Sequence, residues 1–233
     1  AMLRRAVRFA DAVVGPTHAM AAELEEIASL GARIRVIAGA PQTGFGPPVD
    51  PSSRARALGL PERYVVVLGR AGDSGALATT FRAIAALEID TVIIADERDD
   101  PARIFALAHA EGIAAHRVRA PHVPDPSDRA CILTGAVAVV AASETTAFPW
   151  RSLEALAAGA PLIAARTAQN EELFADGAHF VAGNDTDEIG QALGRMSDDR
   201  PFGSRLRVLA ADRAKAFSWR DAAERVWQLH AEL

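Results

Sequence analysis

The 233-residue chain is predicted to fold as an α/β domain around a doubly wound parallel sheet of about six strands. Two observations carry that prediction. From residue 64 onward, six short apolar or β-branched runs alternate with helix-forming segments, the pattern of repeated βαβ units. The stretch from Glu144 to Ala165, ETTAFPWRSLEALAAGAPLIAA, also reads as half of one such unit. A polar, proline-broken loop (143–150) opens a short helix (151–158), Gly159 stands where a left-handed helix stop is wanted, and an apolar strand follows at once. Half of the residues are hydrophobic, enough to bury a full core.

Each element has a local reason. Residues 3–9 are helix-like but begin without a cap or leader, so the chain is expected to start in mid-protein. Residues 11–15 read as a strand, 17–30 as a helix capped by Thr17 and stopped by Gly31, and 33–37 as a second strand, one βαβ unit by itself. Residues 39–52, GAPQTGFGPPVDPS, are dense in helix and strand breakers and read as a linker. The expected division is therefore 1–38 as a remnant of an amino-terminal domain, 39–52 as linker, and 53–233 as the main domain. Within it, strands are expected at 64–69, 90–95, 116–119, 136–142, 161–165 and 179–182. Helices are expected at 52–58, 75–87, 101–111, 126–133, 151–158, 170–175 and 186–196, and two terminal helices at 201–217 and 219–233 with Ser218 as the cap between them.

Composition narrows the function. The net charge of −5 and the lack of any Lys/Arg cluster argue against nucleic acid as a partner. No apolar run reaches eighteen residues and no secretory leader is seen, so no membrane span is expected and the cytoplasm is the expected location. The single cysteine, Cys131, permits neither an intrachain disulfide nor a thiolate metal site and is expected to be a buried, inert thiol. The six histidines show no metal-ligand spacing, and no nucleophile elbow or catalytic triad is identifiable, so no metal and no cofactor are expected.

The chemistry is expected where strands end and helices begin, because free N–H groups and the helix dipole favour an anion there. One candidate is the turn Gly69-Arg70-Ala71-Gly72-Asp73-Ser74-Gly75, which could cradle a diphosphate with Arg70 adding a charged pair, or could be a purely structural turn. The other is Glu154, counted in the first turn of the helix at 151–158 with its carboxylate leaning back toward the loop. It either grips ligand hydroxyls or merely complements the helix dipole. In the latter case its loss would destabilise the protein by no more than roughly 1 kcal/mol. Glu144 and Thr146 line the same loop and read equally as turn residues, His122 lies in another strand-end loop, and Trp150 is either a stacking surface or an anchor.

The order of motifs resembles the carboxyl-terminal half of the group 1 retaining glycosyltransferases of GT-B architecture. The matching pieces run from ADAVVGPTHAM and RIRVIAGAPQTGF through LGLPERYVVVLGR, TVIIADE and DRACILTGA before AVAVVAAS, to FPWRSLEALAAGAPLIAA, DGAHFVAGNDTDEIGQAL and RAKAFSW. The resemblance implies a nucleotide-diphosphate-sugar donor. Arg70, beside Gly69, would face the diphosphate, the loop Arg119, Pro121, Val123 would hold the base by backbone groups, and Glu154 would bind the ribose. Arg70 and Glu154 would be the catalytic pair, with Thr146 and Phe148 completing the donor site. It also implies a missing amino-terminal acceptor domain as partner. The sequence departs from the family's pattern in two ways. Ser74-Gly75 stands near the place of a family lysine, which leaves Arg70 to carry the leaving group nearly alone. Thr146 stands eight residues before Glu154, where the family has a second glutamate. Those departures keep two alternatives open: a catalytically degenerate binding or interaction module of the same fold, and another doubly wound nucleotide-binding enzyme.

Overall fold

The computed structural model describes residues 2–95, 99–121, 123, 125–144 and 147–233. The main sheet has six strands, all parallel: β3 (Tyr64–Gly69), β4 (Asp90–Ala95), β5 (Val118–Arg119), β6 (Ala138–Ala141), β7 (Leu162–Ala165) and β8 (Ala178–Val181). They are ordered β5-β4-β3-β6-β7-β8. The chain thus builds outward from β3 in one direction, then returns to β3's other side and builds the opposite way. Such a reversal opens a crevice at the carboxyl ends of the two central strands, here β3 and β6. A separate parallel pair, β1 (Val13–Gly15) and β2 (Ile34–Val36), flanks α2 (His18–Ile27) and is preceded by α1 (Met2–Phe9).

Helices cover both faces, and strand periodicity sorts the core between them. On β3, Val65 and Val67 join one apolar cluster while Val66 and Leu68 join the other. The first cluster packs the sheet against α4 (Ser74–Ala85), α5 (Pro101–Ala110) and α9 (Thr186–Asp198), the second against α6 (Pro126–Gly135), α7 (Trp150–Ala157) and α8 (Ala168–Phe174). Strands buried on both faces read as continuous apolar runs, which is why YVVVLG and TVIIA were legible as strands. Two long helices close the chain: α10 (Arg200–Ala214), which runs across the sheet's second face, and α11 (Trp219–Glu232), capped by Ser218 as its hydroxyl accepts from Asp221 N–H. Gly159 has φ of +64°, the left-handed stop expected of it. Cys131 is buried, and burial raises its thiol pKa.

Several boundaries differ from expectation. The predicted strand segment 116–119 is half taken by a 3₁₀ turn (Ala115–Arg117), with only Val118–Arg119 paired, as suits a sheet edge. Helix α8 starts at Ala168, two residues early, because Thr167 caps it by accepting from Asn170 N–H. The first unit is fixed to the rest by Glu172 of α8, whose carboxylate accepts from the N–H groups of His18 (2.7 Å) and Ala19 (3.0 Å) at the amino end of α2. The 39–52 segment contains the helix start of α3 (Pro51–Ala57) and packs Phe45 against the second core cluster. Among the described residues no helix is long and apolar enough to cross a membrane.

Candidate functional site

A cleft of about 430 Å³ opens at the carboxyl ends of β3 and β6 and the amino end of α7. Gly69 ends β3 because the strand and α4 approach closely there: a Cβ on it would lie 2.4 Å from Leu77 Cδ2. The chain then turns through a 3₁₀ segment (Ala71–Asp73) closed by Asp73 N–H to the Arg70 carbonyl at 2.9 Å, leaving Arg70 exposed at the cleft wall. Asp73 precedes α4 but its side chain does not cap that helix. It accepts instead from Ser143 Oγ at 2.7 Å, which ties the end of β3 to the end of β6 across the crevice.

Opposite this wall stands α7. It begins at Trp150, one residue before expectation, since Pro149 serves as the helix boundary and its carbonyl already accepts from Leu153 N–H. Glu154 is consequently the fifth helical residue. The expectation of a first-turn position is corrected to the second turn, beyond the reach of most of the dipole's effect. Its side chain still lines the cleft, because helical side chains lean toward the amino end. What holds it is an ion pair, not the dipole. Arg129, in the first turns of α6, donates from Nη2 to Oε1 (2.9 Å) and from Nε to Oε2 (3.3 Å). Arg151 donates from Nη1 to Oε2 (2.9 Å) and Oε1 (3.2 Å) across i,i+3. The Arg129 and Glu154 side chains are 7% and 9% exposed, and that of Arg151 is 27% exposed. Arg129 also donates to the Val123 carbonyl at 3.3 Å and sits over the Phe45 ring. One guanidinium therefore joins α6, α7, the loop after β5 and the 39–52 segment.

Among the described residues lining the cleft, three arginines (Arg70, Arg129, Arg151) face two acids (Asp73, Glu154). Arg70 shares the cleft with Arg129 and Arg151, which border the same space. Sequence spacing missed both, although Arg129 at the head of the apolar run ACIL was a signal that a charge on this helix could be drawn into the core edge and paired. Phe148 and Trp150 form the rim in edge-to-face contact, and Trp150 stacks on Trp219, whose indole N–H donates to the Pro41 carbonyl. Trp150 thus anchors the linker and α11 while one side faces the cleft.

The other sequence candidates lie elsewhere. The Arg119 side chain lies 3.9 Å from Asp90 at the opposite end of β4, so that loop could serve a ligand through its backbone and not through this guanidinium. Pro121 and Val123 do not line the cleft, and Glu144 is exposed beside it. Thr146 and His122 lie outside the described residues. No histidine lines the cleft among the described residues.

A profile of a glycosyl transferase-like family matches residues 129–231, the segment that carries most of α6, all of α7 and both arginines of the ion pair. A D-inositol 3-phosphate glycosyltransferase from Stackebrandtia nassauensis is 31% identical over 198 residues, 76% of this chain and 44% of that protein. The chain is related to the carboxyl-terminal half of the group 1 glycosyltransferases. It spans less than half the length of the curated relatives it matches. Among solved structures, sucrose-phosphate synthase from Thermosynechococcus elongatus superposes with a TM-score of 0.84 at 21% identity, over 98% of this chain and 60% of that one. Anabaena HepE, in complex with UDP-glucose, superposes with a TM-score of 0.84 at 18% identity, over 99% of this chain and 67% of that one. At such identities these likenesses bear on the fold, a Rossmann-like GT-B half.

Proposed function

We propose that this chain is the donor-binding part of a glycosyltransferase that moves a sugar from a nucleotide-diphosphate sugar to an acceptor with retention. The observation that carries the proposal is the pairing, in one switch-point cleft, of arginines at its wall and helix end with a buried carboxylate deeper in. Cations and helix N–H groups suit a diphosphate, and a fixed carboxylate suits vicinal hydroxyls. Arg70 and the amino end of α7 stabilise the departing diphosphate, so that protein dipoles and guanidiniums do without a metal ion. Glu154 accepts from the ribose hydroxyls. The loop Arg119, Pro121, Val123 lies outside the cleft lining but is tied to it by the Arg129 bond that links Val123 to Glu154, and in this reading it reaches the base by backbone groups. Gly69 admits the ligand close to the strand end, and Thr146 and Phe148 border the sugar side.

In this reading residues 53–233 bind the donor, 39–52 are the linker, and 1–38 belong to an acceptor-binding domain with which the donor part acts. The complex of Anabaena HepE with UDP-glucose supports a nucleotide-sugar donor for this fold. Isothermal titration with UDP-, GDP- and ADP-sugars tests the proposal. Submillimolar binding of one donor is the expected result. Failure of all three to bind the folded protein would remove the proposal and favour an interaction module of the same fold.

A further inference from the structure

We infer that Arg151 is an exchangeable partner of Glu154, paired with its carboxylate in this structure and moving to the diphosphate when a nucleotide binds; this rests on the donor-site reading above. An ionised carboxylate offers about four lone-pair directions, and Glu154 already receives four N–H contacts, two from Arg129 and two from Arg151. A ribose hydroxyl can donate to it only when one guanidinium withdraws. Burial says which one. Arg129 is 7% exposed and is also held by the Val123 carbonyl and the Phe45 ring, so its withdrawal would strand a buried cation. Arg151 is 27% exposed, lies at the amino end of α7 and borders the cleft that Arg70 faces from the other wall.

Charge points the same way. Arg129 neutralises the buried carboxylate, and the more exposed Arg151 guanidinium gains from a doubly charged diphosphate placed beside it. The two arginines on Glu154 thus have different jobs. Arg129 fixes the carboxylate, and Arg151 couples ribose binding to diphosphate binding.

The test compares UDP, GDP and ADP with uridine, guanosine and adenosine on wild type, Arg151→Gln and Arg151→Lys, by titration at two salt concentrations. For the base that wild type prefers, Arg151→Gln is expected to weaken the nucleoside diphosphate about tenfold or more and to flatten its salt dependence. The same variant is expected to bind the free nucleoside as well as wild type or better, because Glu154 has been released. Arg151→Lys should recover most of the diphosphate affinity. Equal loss for nucleoside and diphosphate would make Arg151 a support of Glu154 and overturn the inference, as would unchanged diphosphate affinity. If wild type binds no nucleotide at all, the donor reading fails and the inference fails with it; unchanged diphosphate binding by Arg151→Gln alone leaves the donor reading standing.

Discussion

Replacing Glu154 by Gln should be far more damaging to stability than its place on a helix suggests. The change keeps the side chain's size but removes the carboxylate that joins Arg129 and Arg151, so a 7%-exposed guanidinium loses its buried ion pair. Breaking a buried pair from one side typically costs about 3–5 kcal/mol, and in a chain of this length each kcal/mol moves the midpoint by roughly 2–4 °C. A fall in melting temperature of roughly 6–20 °C is therefore expected. A first-turn charge would have been worth at most about 1 kcal/mol. Urea denaturation of wild type, Glu154→Gln, Arg129→Gln and the double variant closes the cycle, and a coupling of about 2 kcal/mol or more between the two positions is expected. Loss of less than about 1 kcal/mol in Glu154→Gln, with additive effects in the double variant, would refute the reasoning: the carboxylate would then be an ordinary helix residue.

Other expectations concern the frame around the cleft. Burial alone would raise the Glu172 pKa, but hydrogen bonds from the His18 and Ala19 N–H groups and the His18 ring prevail and hold it below the usual carboxylate range. Its stabilisation is then complete above a pH of about 4.3 and lost as pH falls through the lower folded value; Glu172→Gln should flatten denaturation midpoints below about pH 5 and cost about 1–2 kcal/mol at neutral pH. Thr91 is fully buried in β4 with an unpartnered hydroxyl, so Thr91→Val should stabilise the fold by about 1 kcal/mol in urea melts. A Cβ on Gly183 would stand 2.3 Å from the Ala142 carbonyl oxygen and 3.0 Å from Glu144 Cγ. Gly183→Ala should therefore destabilise by about 1–3 kcal/mol and, by shifting Ser143 off Asp73, weaken nucleotide binding measured by titration.

The sheet was legible because its strands are buried on both faces, so YVVVLG, TVIIA and AVAVVAA stand out between breakers whatever the tertiary context. Glycine 159 and the Thr17 and Ser218 caps were legible for the same local reason. The edge strand was not: Val118–Arg119 has a neighbour on one side only, and a two-residue pairing leaves almost no pattern. In the site, Arg70 and Glu154 could be singled out because each lies at a strand-to-helix junction that the topology brings to one edge. Arg129 lies one helix away, 25 residues before its partner, and only the fold brings the two together. The start of α7 was misplaced by one residue because Pro149 can serve either as the last loop residue or as a helix cap, which put Glu154 in the first turn instead of the second.

The most direct test of the donor-site account is a crystal structure of this chain with the nucleoside diphosphate it binds most tightly. The account predicts the diphosphate between Arg70 and the amino end of α7, with ribose hydroxyls within about 3 Å of the Glu154 carboxylate. It also predicts Arg129 still paired to Glu154 and Arg151 turned from the carboxylate to a phosphate oxygen. A nucleotide bound away from this cleft, or one whose ribose does not touch Glu154, would contradict it.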